Sequence, residues 1–142
     1  MSSFSFWQKW LVGAGLVMVV FGILMALVSG TVAFDWFNRQ IDPVFWGTNA
    51  VGVAAKQFQR WIYAVLGATM AGWGVFLTYL ARYPFNKKEQ WAWNCLFFGL
   101  LVWFVVDTSF SIFYKVYFNA ASNTAFLILV GLSVVFTRKE FA

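Results

Sequence analysis

The chain has 142 residues, of which 62% are hydrophobic, 23% aromatic and only 11% charged, and its net charge is +5. Soluble domains carry about 25% charged residues, so this composition excludes an ordinary water-soluble domain and indicates a protein that is embedded in lipid. The ten basic residues lie almost entirely between apolar runs. This placement indicates contact with lipid headgroups rather than nucleic-acid binding, which needs basic side chains clustered on one face.

Four long apolar runs predict an all-α fold, an integral membrane bundle of four transmembrane helices in one domain over residues 1–142. The runs are close to the roughly 20 residues that cross a hydrocarbon core about 30 Å thick. The fourth is the weakest, because its first turns are polar. The predicted helices cover about residues 6–30, 61–82, 90–114 and 119–136.

The first two predicted helices carry small residues at every fourth position. Small residues at this spacing let helix backbones approach closely inside a membrane, where packing must replace the hydrophobic effect. We expect these two faces to touch each other. The alternative is that they form the contact between two copies of the chain in a homodimer. The residues are Gly22, Ala26 and Gly30 in the first helix and Ala64, Ala68 and Gly72 in the second.

Residues 31–60 form the longest connection, an outer loop with apolar residues at helical spacing. Polar residues separate them, so an amphipathic segment in the headgroup region is predicted between helices one and two. Asp42 and Pro43 are typical of a helix break and restart, with the aspartate as the cap and the proline in the first turn. The connection either rests on the membrane surface or forms a lid over a cavity. The apolar residues are Phe34, Phe37, Ile41 and Phe45.

Asp107 is the one carboxylate that we place inside the hydrocarbon region. A carboxylate at mid-membrane costs about 2.5–3.5 kcal/mol, so we expect it to face the bundle interior rather than lipid. Antiparallel geometry places Asn123 opposite it, and Arg60 is a nearby cation. This polar cluster either fixes how the helices meet or forms a ligand or proton site. Its predicted members are Asp107, Ser111, Asn123 and Arg60.

No catalytic set can be assembled from this sequence. It contains no histidine and a single cysteine, Cys95. A Ser/His/Asp or Cys/His set and a metal site of His and Cys are therefore excluded, and no phosphate-binding glycine loop is present. The sequence predicts a protein that is not an enzyme and holds no metal or cofactor.

Aromatic residues crowd the second and third predicted helices. Such stripes usually serve packing or lipid contact, and the alternative is a groove for a flat apolar ligand such as a quinone, sterol, carotenoid or chlorophyll tail. The residues are Trp73, Phe76, Phe97, Phe98, Trp103, Phe104, Phe110 and Phe113.

The function that these features predict is that of a membrane subunit or oligomeric scaffold. Its partners would be lipid and either further copies of the chain or other membrane subunits, and not nucleic acid. The alternative is a binder or carrier of a lipophilic small molecule at the Asp107 cluster, and a small oligomeric transporter or channel ranks third. Few charges and short loops suit a bacterial inner membrane.

The distribution of basic residues favours both termini in the cytoplasm. With that orientation the cytoplasmic side holds more cations than the outer side. The cytoplasmic set is Lys9, Arg82, Lys87, Lys88, Arg138 and Lys139, and the outer set is Arg39, Lys56, Arg60 and Lys115.

Overall fold

A computed structural model of the chain describes residues 3–48 and 50–141, and it is all-helical, with 87% helix and no strand in these residues. Four of its helical segments are long and apolar enough to cross a membrane, which confirms the all-α prediction and the four long apolar helices. The helices are α1 (Ser3–Val28), α2 (Asp35–Trp46), α3 (Val53–Arg82), α4 (Gln90–Phe113) and α5 (Tyr117–Thr137), with short 3-10 helices at Val32–Phe34 and Arg138–Phe141.

The main contacts between the long helices follow the order α3, α1, α5, α4. The start of α1, the turn between α3 and α4 and the end of α5 meet at one end of the molecule, which we call the terminal end. The helix α2 and the turn between α4 and α5 contact each other at the opposite end, which we call the distal end. The two described ends of the chain therefore lie on the same side.

The main hydrophobic core lies at the terminal end and joins all four long helices. Its centre is Phe85, a fully buried residue of the turn between α3 and α4. The ring of Phe85 contacts those of Phe4 and Phe141 at centroid distances of 5.9 and 4.7 Å. The side-chain amide of Gln8 donates to the carbonyl oxygen of Ala81 at 3.0 Å. These contacts hold the bundle together on this side.

The helices α1 and α3 pack backbone against backbone. A Cβ added at Gly22 would lie 2.5 Å from the carbonyl oxygen of Gly67, and a Cβ added at Gly74 would lie 2.7 Å from that of Gly15. A Cβ at Gly67 would come within 2.7 Å of the amide nitrogen of Ala26. Glycine is required here because any side chain would collide with backbone atoms that cannot move aside.

The structure corrects the small-residue face that was predicted for α3. Ala68 is exposed and a Cβ at Gly72 would meet no atom within 4 Å, whereas the half-buried Ala64 lies seven residues before Ala71 and therefore close to the face that meets α1. Because neighbouring residues on a helix point about 100° apart, α3 carries two stripes of small residues, and only one of them can face α1. The stripe that contacts α1 consists of Gly67, Ala71 and Gly74.

The helix α2 does not break at Asp42 and Pro43, contrary to the sequence-based expectation. It continues to Trp46 and ends at Gly47, whose φ of 66° is left-handed. The carboxylate of Asp42 accepts a hydrogen bond from Gln59 of α3 instead of capping a new helix. Pro43 removes one backbone donor, and the helix tolerates this because its other contacts hold it in place.

The apolar face of α2 packs on the ends of the long helices. Phe34, which immediately precedes α2, and Phe37 contact the ring of Tyr63 at centroid distances of 5.3 and 5.6 Å. Phe37 also lies 5.3 Å from Phe118 of α5. The helix therefore bridges α3 and α5 across the distal end. The predicted connection at 31–60 is thus mostly helical, because α3 begins at Val53.

Candidate functional site

Three of the four residues of the predicted polar cluster come together between α4 and α5. Asp107 lies on α4, and its Oδ1 accepts hydrogen bonds from Ser111 Oγ at 3.1 Å and from Asn123 Nδ2 at 2.9 Å. Ser111 and Asn123 are buried, whereas Asp107 is half-buried. Ser111 lies one turn after Asp107 on the same helix, and Asn123 reaches across from α5.

Two further members of this cluster were missed by the sequence analysis. Asn119 Nδ2 donates to Asp107 Oδ1 and to Ser111 Oγ, at 2.8 Å in both cases. Thr108 Oγ1 accepts from Asn123 Nδ2 at 3.2 Å. The spacing of four residues between Asn119 and Asn123 places both on one face of α5, which was the available signal. The cluster is a network of internal hydrogen bonds that ties α4 to α5 near the distal end.

Arg60, the fourth predicted member, lies in a different place. It belongs to α3, whose main helix contact is with α1 rather than with α4 or α5. Its guanidinium lies against the backbone of Gly30, where an added Cβ would be 3.0 Å from Arg60 Nε. Arg60 was grouped with Asp107 because antiparallel helices bring the two residues to a similar depth in the membrane. They lie apart because α3 and α4 are not neighbours in the order of helices around the bundle.

Arg60 lines a cavity of about 290 Å³ at the distal end, between the end of α1, α2 and the first turns of α3. Its cationic side chains are Arg39, Lys56 and Arg60, and its carboxylates are Asp35 and Asp42. Apart from Gly30, every residue that lines it has a polar side chain. The helix α2 thus covers a polar cavity, with its apolar face turned to the aromatic residues beside it.

Some of the buried polar atoms around this cavity have no hydrogen-bond partner. Asp42 is buried and accepts from Gln59 Nε2. The hydroxyl of Tyr63 and the Oδ1 atom of Asn38 are also buried, but neither has a hydrogen-bond partner. Buried polar atoms are nearly always paired, so these two require an explanation. The cationic side chains remain exposed at the cavity rim.

Some aromatic residues of α3 and α4 pack on a neighbouring helix and others are exposed. A second depression, of about 230 Å³, lies on the surface of α4 beside Ser109, Phe110 and Phe113. Trp103 packs on Phe126 of α5 at a centroid distance of 5.3 Å, while Phe110 and Phe113 are exposed. These rings serve packing or face the surroundings of the bundle.

The described residues contain no group of three or more His, Cys, Asp or Glu side chains that could hold a metal ion. Comparisons of the chain with protein-family models, with curated proteins and with solved structures find no match.

Proposed function

We propose that the chain is an integral membrane protein with four crossings, which works as a non-enzymatic subunit or scaffold by packing against other membrane helices. The observation that carries this proposal is the large apolar surface that the fold leaves uncovered. Only 17% of the residues in the most apolar part of α3 and 11% of those in α4 are buried. Soluble monomers rarely leave contiguous apolar patches larger than a few hundred Å² exposed, so this surface requires lipid or protein around it.

A protein partner is supported by the small residues on the uncovered surface. The stripe of α3 that contains Ala68 and Gly72 does not contact α1, and Gly99 of α4 also has no atom within 4 Å of an added Cβ. Small residues bring no benefit against lipid, whereas they permit the close approach of another helix. The outer surfaces of α3 and α4 are thus suited to helix packing.

Disulfide cross-linking in native membranes tests the proposal. The variant Ala68→Cys, made together with Cys95→Ser, should form dimers on oxidation, because a close crossing at this stripe brings the two Cα atoms within disulfide range. The matched control is Leu66→Cys in the same background. Leu66 is also exposed but lies about 160° away around the helix, so it should give no dimer.

Native mass spectrometry of the wild-type chain, released from mild detergent, provides the second readout. A stoichiometric homo-oligomer or a complex with another membrane protein is the expected result. A monomer in native mass spectrometry, together with equal cross-linking at positions 66 and 68, would overturn the scaffold proposal.

The proposal includes both termini in the cytoplasm of a bacterial cell, supported by the excess of basic residues at the terminal end. Gln40 lies at the distal end and Lys87 at the terminal end, and both are exposed. In spheroplasts a membrane-impermeant maleimide should label Gln40→Cys and not Lys87→Cys, with Cys95→Ser in both. The reverse pattern would invert the proposed orientation.

A further inference from the structure

The distal cavity carries more positive than negative charge, and its cations are not neutralised internally. Among residues 3–48 and 50–141 the structure contains one ion pair, Lys88 with Glu140, at the terminal end. Arg39, Lys56 and Arg60 therefore have no carboxylate oxygen within 4 Å, although two carboxylates line the same cavity.

One of those carboxylates is already engaged. Asp42 is 5% exposed and accepts from Gln59, so it is not available to pair with a cation at the rim. The neutral amide of Gln59 does not cancel the charge of Asp42, so three basic side chains and two carboxylates leave the cavity of about 290 Å³ with an excess of one positive charge. This excess favours an anionic ligand over a cationic one, because the basic side chains at the rim outnumber the carboxylates of the cavity.

The unpaired hydroxyl of Tyr63 is a second and independent indication of a ligand. Tyr63 lines the cavity and is only 6% exposed, yet its hydroxyl has no partner in the described chain. A buried tyrosine hydroxyl usually finds a hydrogen-bond partner. A ligand oxygen in the cavity would supply the acceptor that the protein does not.

Arg60 lies against the wall of the cavity. A Cβ added at Gly30 would be 3.0 Å from its Nε and 3.2 Å from its Cζ. A planar guanidinium at the cavity is suited to bind two oxygens of a phosphate group at once.

The depth of the cavity indicates where the phosphate comes from. Lys56 and Arg60 precede the apolar run of α3, and the amphipathic helix α2 lies across the ends of the long helices. This is the level of lipid headgroups if α1 and α3 cross a bilayer, so this step rests on the proposed membrane crossing. We infer that the distal cavity binds the phosphate group of a phospholipid headgroup through Arg39, Lys56, Arg60 and the hydroxyl of Tyr63.

Lipid-dependent thermal stabilisation of the purified full chain in detergent tests this inference. Added dioleoylphosphatidylglycerol should raise the unfolding temperature in a saturable way, whereas dioleoylglycerol, which has the same tails and no phosphate, should not. Soluble glycerol 3-phosphate separates the two sources of phosphate. Stabilisation by the soluble compound at equal concentration would assign the site to a free phosphate ester and overturn the lipid assignment.

Variants at Arg60 and Tyr63, with Arg82 as the control position, test whether the lipid binds in the distal cavity. Arg60→Gln should weaken the apparent affinity for phosphatidylglycerol about tenfold, while Arg82→Gln, at the other end of the same helix, should leave it unchanged. Tyr63→Phe should weaken binding about threefold without destabilising the lipid-free protein, because its hydroxyl has no partner there.

Equal responses to the phospholipid and to dioleoylglycerol, or equal affinities of the Arg60 and Arg82 variants, would overturn the phosphate site. Failure of the membrane proposal would appear differently, as a chain that is released from membranes without detergent. A monomer with equal cross-linking at positions 66 and 68 that still binds phosphatidylglycerol would overturn only the scaffold proposal.

Discussion

Gly22 of α1 and Gly67 of α3 lie so close together that neither position can hold a side chain. A Cβ at Gly22 would be 2.5 Å from the carbonyl oxygen of Gly67, and a Cβ at Gly67 would be 2.7 Å from the amide nitrogen of Ala26. The colliding atoms belong to backbones, so neither helix can yield without shifting as a whole. The α1–α3 pair is therefore closely packed, and residues at its distal end line part of the distal cavity.

Gly22→Ala should destabilise the protein by about 1–3 kcal/mol, because the added methyl group forces the two helices apart. The measurement is the midpoint of unfolding in mixed micelles with increasing dodecyl sulfate. Gly13→Ala is the matched control on the same helix, since a Cβ there would meet no atom within 4 Å. Equal midpoints for the two variants would contradict the close packing of α1 on α3.

Asp107→Ala should destabilise the contact between α4 and α5 by about 1–3 kcal/mol, because it removes the acceptor that the amides of Asn119 and Asn123 share. Asp107→Asn should cost less, since its amide oxygen still accepts a hydrogen bond. Thermal unfolding in detergent measures both, with Ser109→Ala on the exposed side of α4 as the control.

The same variants separate the two interpretations of the Asp107 cluster. A purely structural network predicts that Asp107→Asn changes stability alone. If the variant keeps its stability but loses a lipophilic molecule that co-purifies with the wild type, the cluster is a ligand site and the structural interpretation is wrong.

Lys115→Gly should stabilise the protein by about 1 kcal/mol. Lys115 has a φ of 61°, a left-handed conformation that costs energy for residues with a Cβ. It lies in the turn after α4, where the amide of Val116 donates to the carbonyl oxygen of Ser111 at 2.8 Å. Lys115→Ala removes the same charge but retains a Cβ, so it should not match the glycine variant in thermal unfolding.

Gln59→Leu should loosen α2 from α3, because it leaves the buried carboxylate of Asp42 without its hydrogen-bond donor. An unpaired buried acceptor costs about 1–3 kcal/mol, and more if it is charged. Hydrogen exchange of the α2 amides is the measurement, and they should exchange faster than in the wild type.

Gln57→Leu is the control for this effect, since Gln57 is exposed on the same helix. The double variant Asp42→Leu with Gln59→Leu should recover most of the protection, because both polar partners are then removed. Unchanged exchange in Gln59→Leu would show that this bond does not hold α2.

The polar clusters show how far sequence reasoning reaches for the candidate site. Asp107, Ser111 and Asn123 could be grouped in advance, because residues on either side of a short turn must face each other at similar depth. Arg60 has a suitable depth as well, yet it lies in the distal cavity, since depth along a bundle does not specify the order of helices around it. Tyr63 could not be recognised as a site residue from the sequence, because an aromatic residue near a helix end is normally an interfacial anchor.

What the sequence alone determined is the all-helical architecture and the presence of four long apolar helices, because hydropathy and helical period are local properties of the chain. The tertiary structure decided which of the two small stripes of α3 meets α1, that α2 continues through Pro43, and that Arg60 joins Tyr63 rather than Asp107. These outcomes depend on how each helix is rotated about its axis and on which helices become neighbours, and both are set by packing between segments distant in the sequence.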